Sequence, residues 1–186
     1  MSASRRDHLV ETATGLFERD GFHATGIDHI LAVSGVAKMT LYNHFKSKEE
    51  LIIAVLDFRD RQFMAWLRAQ VERSANSPED RLLAIFDALE SWFRTDTFNG
   101  CLFLGATLEY ADRDHPIHVQ AAIHKRHVFD YIMSLAEQTI GLDARLLSQQ
   151  FLVLYDGAIS VAHTLGAPIA ARQARRAAEA ILDAQG

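Results

Sequence analysis

At 186 residues and 49% hydrophobic content, the chain is long enough to bury a full core, or a small domain joined to a larger one through a shared helix. A formal net charge of -5 argues against a broad, non-specific nucleic-acid coat, so any contact with a polyanion has to be focused on a small region. The single cysteine, Cys101, excludes an intrachain disulfide and any multi-cysteine zinc motif, and the longest aliphatic run, Leu51 to Leu56, is far short of a bilayer span.

The opening residues lead into no apolar signal segment, so a soluble, cytoplasmic protein without membrane contact is expected. Leu9, Ala13, Leu16 and Phe17 form the inner stripe of a first helix that ends at Gly21, with Phe22 placed for a contact after the cap. Thr25 with Asp28 three residues on looks like a capping box, and Ile27, Ile30 and Leu31 make an apolar stripe that stops at Gly35. Gly35 can reverse the chain in the left-handed conformation, Val36 can fill the angle, and Leu41 and Phe45 repeat on the inner face of the next helix. Its free side chains are Lys38, Met39, Thr40, Tyr42, Asn43 and His44, which can hydrogen-bond, stack or touch a thymine methyl. No acid falls between His29 and Lys48, whereas Lys38, Lys46 and Lys48 do. This is a helix-turn-helix pattern, and it points to duplex DNA. Taken singly, Tyr42 could be a packing aromatic and Lys46 and Lys48 solvated charges; their order and spacing together favour DNA.

A long amphipathic helix is predicted from Lys48 to about Ser74, stopped by Asn76-Ser77-Pro78, and it would link the two parts without a flexible tether. Ser77-Pro78-Glu79-Asp80 then starts a helix that runs through Trp92 and Phe93. A shorter helix follows from about Gly100 to Ala111, another from Pro116 to near Gly141, and Asp143 caps one that reaches about Leu165. Gly166-Ala167-Pro168 precedes a final alanine-rich helix. The expected fold is therefore all-α with about nine helices, divided into residues 1–47 and 48–186.

Thr40-Leu41-Tyr42-Asn43-His44-Phe45-Lys46-Ser47-Lys48-Glu49-Glu50-Leu51, preceded by Gly35-Val36 and by Gly21-Phe22-His23-Ala24-Thr25, resembles the DNA-binding domain of the tetracycline-repressor (TetR) family of bacterial regulators. The close resemblance covers roughly the first quarter of the chain; beyond it, length, helical pattern and the order of parts agree. It implies a homodimer with one operator half-site per subunit and a C-terminal domain that binds a small organic effector. It also implies that Thr25, Tyr42, His44 and Lys48 hold phosphates and that Lys38, Met39, Thr40 and Asn43 read or approach bases. Many relatives carry Ser at the position of Ala37 and Gly at that of Met39, so one hydroxyl is missing here and a bulky thioether faces the groove.

Polar groups among the C-terminal aromatics mark a candidate effector pocket: Trp66, Phe86, Phe93, Phe103, Glu109, His127, Tyr131, Phe151, Tyr155 and Asp156. Most aromatics are needed for the core in any case. His124 and His127, three apart, could share an ion, but Asp112-Arg113-Asp114-His115-Pro116 reads better as a polar turn and helix cap, and neither metal nor cofactor is expected. Cys101, between Gly100 and Leu102-Phe103, reads as a buried inert thiol. Small residues at helical spacing, Gly157, Ala158, Val161 and Ala162, then Ala174, Ala177, Ala178 and Ile181, allow close helix approach, and the resemblance makes them the dimer interface. No Gly-x-Ser-x-Gly elbow, phosphate-cradling loop or His-Glu-x-x-His occurs, so an enzyme is not expected. The rivals to a ligand-responsive regulator, most readily a repressor, are a helical small-molecule-binding or interaction protein without DNA function, and an enzyme with an unadvertised site.

Overall fold

Ser4 starts the first helix, its hydroxyl accepting the Asp7 N–H at 3.1 Å. The computed structural model describes residues 4–139, 141 and 143–185, and among them the chain forms α-helices and no strand. In chain order they are α1 (Arg5–Asp20), α2 (Ile27–Ser34), α3 (Lys38–His44), α4 (Lys48–Ser74), α5 (Pro78–Phe93), α6 (Leu102–Glu109), α7 (Pro116–Ala136), α8 (Ala144–Leu165) and α9 (Ile169–Gln185). None of these is long and apolar enough to cross a membrane.

Two of the expected helix starts are closed by their own side chains. Ser77 accepts the Asp80 N–H at 3.1 Å with Pro78 in the first turn, and Asp143 accepts the N–H groups of Arg145 and Leu146 at 3.1 and 3.0 Å. Ser47 and Glu50 brace the start of α4: the Glu50 N–H donates to the Ser47 hydroxyl at 3.2 Å, and the Glu50 carboxylate accepts the Lys46 N–H at 2.8 Å. Two helices are shorter than expected. Helix α6 spans only Leu102–Glu109, and α7 stops at Ala136, where the N–H groups of Gln138 and Thr139 turn to carbonyls three residues back. The Thr139 hydroxyl also donates to the Ala136 carbonyl at 2.6 Å, occupying an acceptor that a continuing helix would use.

The chain forms two units. The first takes the chain up to Gln62 and again Leu102–His124; the second takes Phe63–Cys101 and everything from Lys125 on, so α4 and α7 contribute to both. The first buries Leu9, Ala13, Leu16 and Phe17 of α1 together with Phe22, Ile30, Leu41 and Phe45, and Leu51, Ile52, Val55 and Leu56 of α4. The second is built on α5, α8 and α9. Phe86 and Phe151 are fully buried with ring centroids 5.7 Å apart, and Ala171, Ala174 and Ala178 let α9 lie close against its neighbours. Ion pairs from Arg172 to Glu90 at 3.3 Å and from Arg175 to Asp87 at 3.1 Å fasten the rim of the α5–α9 contact.

Candidate nucleic-acid interface

Helices α2 and α3 are too short to be stable alone and hold their places through one fully buried side chain each, Ile30 and Leu41. Gly35 joins them with φ at 67° and donates its N–H to the Leu31 carbonyl at 3.0 Å, a reversal that a side chain would strain. Ala37 stands at the N-cap of α3 and supplies no side-chain cap, which follows from its missing hydroxyl. With Leu41 and Phe45 turned inward, Lys38, Met39, Tyr42, Asn43 and His44 are exposed and Thr40 is half-buried; Met39 is 75% exposed. Six of the eight residues expected at DNA thus share one helix.

The other two are placed differently. Thr25 is buried, 1% exposed, and its hydroxyl donates to the Gly21 carbonyl at 2.7 Å, so the side chain is engaged in its own turn. It forms no capping box either: Gly26 is the N-cap of α2, and Asp28 instead pairs with Lys38 at 3.3 Å. Both members of that pair are well exposed, so it is a weak contact that DNA can replace. Lys48 is half-buried; burial pushes its ammonium down, opposed by the charge of Glu109. Two further basic side chains at α1 lie near α2 and α3. The Arg6 guanidinium lies 5.3 Å over the Phe45 ring, and His8 Nε2 is 3.0 Å from the Ser34 carbonyl. Their only signal was a basic pair ahead of an amphipathic stripe.

Glu109, expected among the effector-binding groups, is engaged elsewhere. Its Oε1 accepts the Phe22 N–H at 2.8 Å and its Oε2 the His23 N–H at 2.6 Å, with His23 Nδ1 2.8 Å from that same oxygen. Phe103 also falls in the first unit, where it stacks on His124 with centroids 3.7 Å apart, and His124 Nδ1 lies 2.7 Å from Asp60 Oδ1. His124 is therefore occupied by a buried carboxylate, while His127 is exposed. The remaining candidates, Trp66, Phe86, Phe93, His127, Tyr131, Phe151, Tyr155 and Asp156, belong to the second unit.

There, Asp156 pairs with Lys125, whose ammonium also lies 5.7 Å from the Tyr155 ring centroid. Cys101 is half-buried rather than buried, and it acts on the Lys125 ammonium, so its setting is more polar than the flanking residues suggested. Burial pulls Lys125 down, but Cys101 and Asp156 outweigh it and hold the ammonium above its ordinary value. Tyr131 is 4% exposed, with the Arg68 guanidinium 4.4 Å over its ring, and its hydroxyl has no hydrogen-bond partner among the described residues. Burial pushes that phenol up. Of the expected interface residues, Ala158, Ala162, Ala174 and Ala178 are buried inside the subunit, because α5, α8 and α9 use their small side chains to approach one another. Gly157 and Val161 are exposed, and Ala177 and Ile181 are half-buried.

Residues 9–55 match the family described as bacterial regulatory proteins, tetR family, and residues 78–178 match the tetracyclin repressor-like C-terminal domain. A TetR-family transcriptional regulator from Streptomyces coelicolor has a similar structure, with a TM-score of 0.89 and 31% identity over 97% of this chain and 95% of that one. Among curated proteins, the HTH-type transcriptional regulator YjdC of Escherichia coli is 25% identical over 156 residues, 84% of this chain and 82% of that protein. The HTH-type transcriptional repressor KstR2 of Mycolicibacterium smegmatis is 37% identical over 89 residues, 46% of this chain and 42% of its own.

Proposed function

This chain belongs to the tetracycline-repressor (TetR) family of transcriptional regulators, and from that membership we propose that it acts as a homodimeric repressor whose two α3 helices enter successive major grooves of a near-palindromic operator. The observation that carries the reading is the exposed surface of α3, where Lys38, Met39, Tyr42, Asn43 and His44 face solvent while Leu41 anchors the helix from behind. Lys38, Met39, Thr40 and Asn43 are assigned to base edges, with the Met39 thioether suited to a thymine methyl. Tyr42, His44 and Lys48, joined by Arg6, are assigned to phosphates. Repression is inferred from relatives named as repressors, KstR2 among them.

The dimer is assigned to the outer face of α8, where Leu146, Val153, Gly157 and Val161 recur at helical spacing and are all exposed. A buried interface removes that apolar stripe from water. The effector is assigned to the second unit, among Trp66, Phe86, Phe93, Tyr131, Phe151 and Tyr155. Leaving a buried hydroxyl unmatched costs about 1–3 kcal/mol, so the Tyr131 phenol is the group that an acceptor on an otherwise apolar ligand would satisfy. A ligand that binds one conformer preferentially shifts the population away from the DNA-competent one.

Footprinting on a duplex selected from a random-sequence pool tests the reading. Two protected half-sites about one helical turn apart are expected, and an isolated half-site bound as tightly as the full site overturns it.

A further inference from the structure

The turn between α1 and α2 sets where the DNA-reading helices begin, and a carboxylate from a distant part of the sequence holds it. Glu109, the last residue of α6, receives two consecutive backbone N–H groups, those of Phe22 and His23, at 2.8 and 2.6 Å. Two successive amides directed at one anion form a short, charge-assisted pair of bonds, stronger than neutral ones. The His23 ring adds a third contact to Oε2 at 2.8 Å. The next residue, Tyr110, stacks on His23 with centroids 4.8 Å apart and meets Phe22 edge-on at 6.4 Å. Phe22 is itself buried against Phe17 at 5.0 Å.

The glycine before the pair is fitted to the same carboxylate. Gly21 has φ at 83°, and a Cβ there would fall 3.0 Å from Glu109 Oε1. Thr25 closes the other end of the turn through its bond to the Gly21 carbonyl. The turn is therefore held from within by Thr25 and from outside by Glu109. Helices α2 and α3 cannot orient themselves: each has a single fully buried side chain. Their approach angle depends on the segment that leads into them.

We propose that Glu109 is a positioning residue for operator recognition, fixing the α1–α2 turn and thereby the angle at which α3 meets its half-site. This rests on the reading of α3 as the DNA-reading helix. Only the operator complex requires both α3 helices at one set angle, whereas binding to arbitrary sequence draws on charge. Loss of the latch falls on the first and spares the second.

The test measures Glu109→Ala and Glu109→Gln in the full chain, against a duplex selected from a random pool and a scrambled duplex of equal length. Amide exchange at Phe22 and His23 and the melting temperature are followed alongside. In Glu109→Ala, faster exchange at both amides is expected, with a loss of about tenfold or more on the selected duplex and little change on the scrambled one. Glu109→Gln keeps one acceptor oxygen, falls between the two, and serves if the alanine variant does not fold. Unchanged affinity for the selected duplex despite faster exchange overturns the proposal, as does an equal loss on both duplexes. If the wild-type protein itself does not prefer the selected duplex, the DNA-reading assignment of α3 fails instead.

Discussion

Asn43 and Lys48 stand at opposite ends of what a side chain can do for DNA. Asn43 is exposed on the short helix α3 and can pair with a base edge, so Asn43→Ala is expected to cost about 1–3 kcal/mol on the cognate duplex and little on random sequence. Lys48→Ala is expected to weaken all sequences alike and to lower the salt dependence by about one ion. Titrations at several salt concentrations separate the two, and equal losses for Asn43→Ala on both duplexes would remove it as a base reader. Tyr131→Phe deletes a buried hydroxyl that has no partner, so thermal stability is expected to hold or rise while effector affinity falls about tenfold; a falling melting temperature in the absence of ligand would show that the hydroxyl is bonded after all. The residues of α3 were legible because helical spacing alone puts Leu41 and Phe45 inside and leaves Asn43 out. Thr25 and Glu109 were not, because their roles are settled by hydrogen bonds that no periodicity encodes; Glu109 meets its partners 86 and 87 positions away in sequence.

At the scale of elements, the helix start at Ser4 was not read, whereas those at Ser77 and Asp143 were readable because a capping side chain followed by proline or a helical pattern marks each one. Ends were less so, and α7 stops early because Thr139 competes for a carbonyl, a local bond that the apolar pattern does not carry. Small-residue stripes were ambiguous for a different reason: a close helix contact leaves the same trace whether the partner helix belongs to the same chain or to another. Burial separates them. Ala178→Glu places a charge where the residue is 0% exposed and is expected to unfold the second unit, by roughly 3–5 kcal/mol or more. Val153→Glu, at a position 72% exposed on α8, is expected to leave the melting curve of the subunit nearly unchanged and to yield monomer in sedimentation. A dimer that survives Val153→Glu at low micromolar concentration would move the interface off this face.

For the whole molecule, a net charge of -5 requires any attraction to DNA to be local, drawn from a small basic region and opposed by the rest of the surface. Raising salt should therefore weaken binding steeply while screening some long-range repulsion. Coupling between effector and operator has to be reciprocal: a ligand that weakens the operator by some factor must bind the operator complex more weakly by that same factor. Calorimetry with and without the operator measures that factor, and a factor of one would mean that ligand and DNA are not coupled.

The first unit is assembled from two separated stretches, the second of which begins only at Leu102. On the ribosome, a nascent chain that has exposed α1, α2 and α3 still lacks the carboxylate that receives the Phe22 and His23 amides. The reading head therefore matures late, after α6 has been synthesised and has folded back, and this long-range closure is a slow kind of step. A fragment cut after Gln62 retains every residue assigned to DNA and still lacks the carboxylate that receives the two amides of its own turn.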